Sequence, residues 1–321
     1  MNLTHRRGRD GLFFETMARK SNVTQATGQI TQIWRFPIQS MGGERVAQAE
    51  ITTAGLVGDR ALALLDVETG KVASAKSVRL FPDLMACHAR FEKEPARGEV
   101  LDGALPNVEI TLPNGRTVDS LSAGANASLS AFFGRELRLI SGAPDDFVVD
   151  QYHPDLPNLN PAGNRDVVVP QPLGSSLFRA LGQEPPLGPH SLQDLFPLSV
   201  ITSGTLSALR SAVQGSSITA ERFRMNLLVE ETAQGLPENQ WVGRTGALGE
   251  AVIAFAMPAP RCVMTTRPTA GLSEDTRVLR AISETNRLDL LGIGAFPCAG
   301  IYAVAVQAGT IRQGDSLQLR G

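Results

Sequence analysis

The sequence predicts a mainly β protein with some α/β elements, arranged as two β-rich domains with helices inserted or appended. Three observations predict it. Short apolar runs are separated by Asn-Gly and Thr-Gly turns, the pattern of antiparallel strands joined by tight connections. Only a few segments carry the 3.6-residue apolar period of a helix. The 321 residues also exceed the ~150 residues that serve as a soft prior for one domain.

The elements follow in chain order. Residues 1–27 hold His5, Arg6, Arg7, Arg9, Arg19 and Lys20, then a polar run to Thr27, with no apolar periodicity. They read as a disordered tail, with Met17 as an alternative start. Asp10 and Glu15 interrupt the positive charge, which weakens a targeting role. From Gln29 the pattern turns strand-like, with Ile30, Ile33, Trp34, Phe36 and Ile38 ahead of Gly42 and Gly43. Strands follow at 46–51, 60–66, 108–112 and 117–118, with turns at Glu68-Thr-Gly70 and Pro113-Asn-Gly115. One helix at 123–133 is closed by Gly134. The first β-rich domain is therefore set at 28–140.

Residues 141–195 are rich in Pro, Gly and Asn. They read as a long connection with one short helical piece near 175–181, and a connection of that length is usually a linker, lid or binding loop. The connection is bounded at 141–190 and the second domain at 191–321. That domain opens with a strand at 198–202 and a helix at 204–213, for which Thr202 and Ser203 are cap candidates. Strands are read at 226–230, 245–248, 251–255, 302–307 and 316–319. A helix at 276–286 places Val278, Leu279 and Ile282 on one face.

Composition narrows the function. The net charge is −2, which gives nucleic-acid binding no support. No run of about 18 apolar residues exists, so no membrane span is expected. Cys87, Cys262 and Cys298 are too few for a disulfide framework, and no secretory core is present, so a reducing, cytoplasmic setting is expected. Alone they cannot ligate a four-cysteine iron–sulfur cluster, and no CxxC or HxxxH pair suggests structural zinc. The only lysines are Lys20, Lys71, Lys76 and Lys93 among 30 basic residues. An anion site here would rely on guanidinium forks.

Familiar nucleotide and hydrolase motifs are missing. There is no GxxxxGK[ST], and Gly292-Ile-Gly294 lacks its third glycine. No GxSxG elbow occurs. The four histidines, His5, His88, His153 and His190, are scattered and read as surface or loop residues. What remains is Pro258-Ala-Pro-Arg261-Cys262-Val-Met-Thr265-Thr266. A neighbouring guanidinium favours the thiolate, which is both nucleophile and metal ligand; a buried inert cysteine is the plain alternative. Upstream, Arg222 and Arg224 stand two residues apart. On a strand both would share one face, suited to phosphate, or they form a solvated basic edge.

These segments together resemble a known family. Residues 221–229, Trp241-Val-Gly-Arg-Thr245, Leu248-Gly-Glu250, Pro260–Thr266 and Gly309-Thr-Ile-Arg-Gln-Gly-Asp315 resemble the MOSC domain, the C-terminal domain of molybdenum cofactor sulfurases. Phe36-Pro-Ile-Gln-Ser40, Gly55-Leu-Val-Gly-Asp-Arg60 and Ser74-Ala-Lys76 resemble the N-terminal β-barrel domain that precedes it. The pairing occurs in the mitochondrial amidoxime-reducing component and its bacterial relatives. The resemblance spans about residues 28–321 and implies an N-terminal β-barrel-like domain followed by a MOSC β-barrel domain with flanking helices.

The resemblance further implies a molybdenum cofactor (Mo-molybdopterin), with chemistry independent of pyridoxal phosphate. Cys262 matches the cysteine that ligates molybdenum, and Arg261 its neighbour. Arg224 and Asn226 match the Arg and Asn of the family's Phe-Arg-Pro-Asn segment, where the arginine helps hold the pterin phosphate. Lys76, Arg222, Thr202, Thr205, Ser40, Thr265 and Gln39 complete the implied cofactor set. Asp194 matches an aspartate of the metal pocket, where it would orient or protonate the leaving oxygen; a helix or turn cap is the alternative. The chain departs from the family at Gln39, where relatives carry lysine, at Lys76, where they commonly carry arginine, and at Met225, where they carry proline.

The implied activity is a molybdenum-dependent reduction of an N-hydroxylated or other N-oxygenated small molecule, the cofactor carrying the redox chemistry. With no flavin or haem motif in view, electrons would come from a ferredoxin or a flavin-reductase partner; no fused ferredoxin domain is read before Gly321. The alternatives are a cofactor carrier or sulfur-transfer protein without its own turnover, and a binding protein that has lost the cofactor.

Overall fold

The computed structural model describes residues 25–101, 103–269, 271–290 and 292–320. The expected tail at 1–24 lies outside the described residues. Residues 25–27, read as the end of that tail, already belong to the first strand, because Gln25 and Ala26 pair with Leu319 and Gln318.

The first half contributes β1 (Gln25–Arg35), β2 (Glu44–Val46), β3 (Gln48–Thr52), β4 (Gly55–Leu56), β5 (Ala63–Asp66), β6 (His88–Phe91), α1 (Arg97–Leu101), β7 (Val108–Thr111), β8 (Thr117–Asp119), α2 (Ala125–Phe133) and β9 (Leu137–Ile140). The middle contributes β10 (Val148–His153), β11 (Val167–Pro172) and α3 (Gly174–Ala180). The second half contributes β12 (Leu198–Thr202), α4 (Ser203–Ala212), α5 (Ala220–Phe223), β13 (Leu227–Glu231), β14 (Thr245–Leu248), β15 (Ala251–Pro260), α6 (Arg277–Thr285), β16 (Arg287–Asp289), β17 (Ala295–Gln307), β18 (Gly309–Arg312) and β19 (Ser316–Arg320). The mainly β expectation holds.

Seven strands close a barrel in the order β12-β13-β1-β19-β14-β15-β17, with β17 pairing back onto β12. The β12–β13 pair is parallel and its other pairs are antiparallel. Its interior is filled by alternate residues of its strands, as a pleat requires: Leu198 and Val200 of β12, Leu227 and Val229 of β13, Ile253 and Phe255 of β15, with Ile30 and Ile33 of β1 both facing in because a bulge falls between them. β12 is buried on both faces. Its Ile201 points the other way, into a second core with Leu206 and Leu209 of α4 and Val278 and Ile282 of α6. The apolar spacing that predicts α6 is the spacing that buries it.

The barrel crosses the sequence boundary drawn at residue 140. β1 comes from the first half and sits between β13 and β19, while β18 returns to pair with β3. The rest of the first half packs three-stranded β6-β7-β8 and two-stranded β5-β9 sheets around Leu64, Phe81, Ile110 and Leu129. α2 ends where Gly134 adopts the left-handed conformation at φ 66°, as the sequence suggests.

The stretch at 141–190, expected to hold only a short helix, contains a β-hairpin as well. β10 and β11 pair from Val148↔Pro172 to His153↔Val167. Pro170 and Pro172 hide the strand signal, yet a proline is tolerated on an edge strand where no ladder hydrogen bond is needed. The hairpin is pinned to the first half: Tyr152 N donates to Lys76 O at 2.9 Å, and Lys71 Nζ pairs with Asp150 at 2.7 Å.

Candidate functional site

β15 runs out of the barrel at Pro260. Arg261 and Cys262 follow before a 3-10 turn at Val263–Thr266. The Cys262 carbonyl accepts from Thr265 N at 3.1 Å and from Thr265 Oγ1 at 3.0 Å. Thr265, read as a cofactor contact, spends its hydroxyl on this turn and is 1% exposed. The turn leaves the Cys262 side chain half-buried, whereas Cys87 and Cys298 are buried. Burial pushes both of those thiols up to about 12, so they stay protonated and inert.

Cys262 lines a cleft between the two halves, with Gln39 and Arg60 from one side and Asp194, Arg224, Arg261 and Tyr302 from the other. Arg224 sits at φ 53° immediately after α5. Its guanidinium lies 4.4 Å from the centroid of Phe36 and donates through Nη1 to Met41 O. Arg60, at φ 48°, lies 4.6 Å from the same ring. It is paired with Asp59 and donates to Arg224 O at 3.0 Å. Ser40, at φ 66° and buried behind Gln39, is a third non-glycine residue with left-handed backbone next to this wall. Such strain persists where surrounding contacts enforce it and clusters at binding sites. Burial, reinforced by the neighbouring Arg60 charge, holds the Arg224 pKa down to about 9.

Asp194 presents a half-buried carboxylate. Lys76 Nζ donates to it at 2.5 Å and Gln39 Nε2 donates to its other oxygen. Burial works to raise its pKa, but Lys76, Arg60 and Arg224 outweigh it and hold the carboxyl below the ordinary value. Gln39 and Lys76, far apart in the sequence of the first half, therefore meet on one aspartate.

The twelve residues named from sequence divide in the structure. Gln39, Asp194, Arg222, Arg224, Asn226, Arg261, Cys262 and Thr265 line the cleft. Lys76 reaches its edge through Asp194, and Ser40 is buried behind Gln39 with its hydroxyl 3.4 Å from Ser74 Oγ. Thr202 and Thr205 lie elsewhere. Thr202 caps α4, accepting from Thr205 N at 3.1 Å, and both hydroxyls donate to the fully buried Glu238 carboxylate at 2.7 and 2.6 Å. That carboxylate occupies the hydroxyls that the sequence assigned to the cofactor.

Arg222 and Arg224 do not share a strand face. Residues 220–223 form α5, so the two side chains diverge. Arg222 donates to the carbonyls of Ser217, Thr265, Arg267 and Ser273, bracing the turn that carries Cys262. Asn226 is likewise committed: its amide donates to Asp59 at 3.0 Å and accepts from Ser199 N and Oγ, locking β12, β13 and β1 together.

The sequence does not single out Arg60, Tyr302 or Phe196 as site residues. Arg60 ends the Gly55-Leu-Val-Gly-Asp-Arg60 segment. Tyr302 and Phe196, stacked at 5.4 Å, carry no local signal because strand and loop bring them together. Burial pushes the Tyr302 hydroxyl up to about 12, so it stays a donor.

The cleft has an unanswered demand. Arg224 Nη2 and Arg261 Nε are buried and find no hydrogen-bond partner among the described residues. A buried unpaired donor costs about 1–3 kcal/mol, and more when charged. Arginines 60, 224 and 261 face one carboxylate, Asp194, across the cleft, beside a half-buried thiol. A phosphate-bearing cofactor with a soft metal fits this donor set.

Residues 27–121 match the MOSC N-terminal beta barrel domain and residues 188–318 the MOSC domain. The chain is 24% identical to mitochondrial amidoxime-reducing component 1 of Mus musculus, over 94% of this chain and 85% of that protein. Against the protein of the same name from Homo sapiens it is 22% identical, over 94% and 86%. Among solved structures, the YUAD protein of Bacillus subtilis aligns over 92% of this chain and 98% of its own, at 9% identity and a TM-score of 0.39. The chain therefore carries a MOSC N-terminal beta barrel domain followed by a MOSC domain.

Proposed function

We propose that this chain is an oxidoreductase that binds the molybdenum cofactor in the Arg224–Cys262 cleft and reduces N-hydroxylated or other N-oxygenated compounds. The observation that carries the reading is the pair of unpartnered guanidinium N–H groups on Arg224 and Arg261, in the same cleft as the half-buried Cys262 thiol. The amidoxime-reducing relatives support the choice of substrate class.

When bound, the cofactor supplies two-electron oxygen-atom chemistry at a thiolate-held metal. Cys262 Sγ would ligate the metal, and Arg224 and Arg261 would donate to the phosphate. Arg60 holds the Arg224 backbone in place for that contact. Asp194, kept ionised by Lys76, orients the Lys76 ammonium and the Gln39 amide rather than delivering a proton. Lys76 Nζ is the hydrogen-bond donor next to it. The overall conversion takes an N–OH group, two electrons and two protons to N–H and water. The electrons would come from a separate ferredoxin or flavin-reductase partner; Cys87 and Cys298 are buried, and no metal-holding cluster of His, Cys, Asp and Glu occurs among the described residues. No helix among them is long and apolar enough to cross a membrane.

The test supplies the purified, cofactor-loaded protein with chemical electrons and benzamidoxime. Formation of benzamidine, lost in Cys262→Ala, supports the reductase. Stoichiometric cofactor with no turnover of any N-oxygenated compound would point instead to a carrier.

A further inference from the structure

A second cavity, of about 390 Å³, opens at the far end of β13. That strand begins at Leu227, just after Arg224 and Asn226 of the cofactor cleft, and ends at Glu231. Four strand steps, roughly 14 Å, separate its two ends. Glu231 forms one wall, the 3-10 turn Pro237–Trp241 another, and Arg244, just ahead of β14, a third. The Glu231 backbone is fixed by Ser203 at the start of α4, whose hydroxyl accepts from Glu231 N at 3.1 Å and donates to Glu231 O at 3.3 Å.

The cavity holds one charge of each sign, and neither is answered. Glu231 Oε2 is buried and finds no hydrogen-bond partner. Burial and the neighbouring Glu238 charge push the Glu231 pKa up to about 7. Glu238 cannot relieve it, being acidic itself and having its two oxygens taken by Thr202 and Thr205. The Arg244 guanidinium makes no hydrogen bond or ion pair among the described residues, and it does not pair with Glu231 across the cavity. A cation on Glu231 would answer the buried carboxylate. A hard metal ion would need several oxygen ligands, and no group of three or more His, Cys, Asp and Glu able to hold one occurs among the described residues. An organic ammonium, a compact charge with three donors, fits a single carboxylate. Arg244 offers the fork that a carboxylate accepts. Leu236, Trp241 and Leu319 supply apolar wall for a methylene chain, and the volume is that of a small-molecule site.

We propose that this cavity is a second binding site, for an aliphatic amino acid whose ammonium sits on Glu231 and whose carboxylate sits on Arg244. The site is independent of the proposed function, because neither residue lines the Arg224–Cys262 cleft.

The test is calorimetry on the full chain with straight-chain ω-amino acids, from glycine to 6-aminohexanoate, each against the alkylamine and the alkanoate of matching length. Wild type is expected to bind at least one amino acid roughly tenfold tighter than either single-charge analogue, the worth of one charge-assisted hydrogen bond. Glu231→Gln keeps the shape and removes the charge, and it should weaken that amino acid roughly tenfold. Arg244→Gln should weaken it roughly tenfold as well, while leaving the alkylamine unchanged. Arg244 is half-buried and pairs with nothing, so its variant decides the matter should Glu231→Gln fail to fold. Binding of no member of the series, an alkylamine held as tightly as the amino acid of its length, or equal affinities in wild type and the variants that fold overturns the site.

Discussion

Lys76 and Asp194, 118 residues apart in the chain, meet as an ion pair at 2.5 Å. The pair joins the first half of the molecule to the loop ahead of β12 and fixes one edge of the cofactor cleft. Lys76→Met is expected to destabilise the fold by about 2–3 kcal/mol at neutral pH, because it leaves a half-buried carboxylate without its main cation. The sign with pH follows from the lowered Asp194 pKa. Stability from the pair is fully present above the ordinary carboxylate value and is lost as pH falls through the lower folded value. Urea unfolding should therefore show the gap between wild type and variant closing in strong acid; a gap constant with pH would contradict the pairing.

Arg224 should behave as an anion receptor in the cofactor-free protein. A ligand that binds only the folded state raises its stability by mass action, about 2.7 kcal/mol at a hundredfold excess over Kd. Inorganic phosphate is therefore expected to raise the melting temperature of wild type and to do much less for Arg224→Met. An equal rise in both would remove Arg224 from the site.

Asn226 is a structural hub, and its loss should appear in stability before anything else. Asn226→Ala strips partners from Asp59 and from Ser199 N and Oγ, all buried. The expected loss is about 2–4 kcal/mol, from several unsatisfied groups, measured by denaturant unfolding.

Thr202 and Thr205 separate the structure from the sequence reading most sharply. Thr205→Val should lower stability by about 1–3 kcal/mol, since the buried Glu238 carboxylate loses a donor. It should leave molybdenum and pterin content unchanged. A parallel loss of cofactor would restore the sequence assignment.

Gly300 bears on the replacement of the family's usual proline by Met225. At φ +82°, a Cβ on Gly300 would lie 2.3 Å from Met225 Cε and 2.7 Å from Val200 O. Gly300→Ala is expected to destabilise by about 1–3 kcal/mol through overpacking and left-handed strain. Because the carbonyl of Val200 is backbone and cannot yield, Met225→Ala should rescue only part of that loss in a double-mutant cycle.

What the sequence reveals depends on how local the signal is. α6 and α2 are legible because apolar spacing and a terminal glycine lie within a dozen residues. The Cys262 turn is legible because proline, arginine, cysteine and two threonines are contiguous. The hairpin at 141–190 is hidden because Pro170 and Pro172 read as loop, although an edge strand accepts them. The Arg222–Arg224 geometry is hidden because residue spacing does not disclose that the intervening backbone turns from helix to left-handed conformation. The partners of Thr202 and Thr205 are hidden because Glu238 is more than thirty residues away in sequence and meets them only when the barrel closes.

The central claim is that Cys262 and the unpaired guanidiniums beside it hold a molybdenum–pterin cofactor. Metal and pterin analysis of the protein, purified after expression with adequate cofactor supply, tests it most directly. The account predicts about one molybdenum and one pterin per wild-type chain, as one cysteine ligand in one cleft implies, and loss of the metal in Cys262→Ala. Wild-type protein without molybdenum, or Cys262→Ala that retains it, would contradict the account.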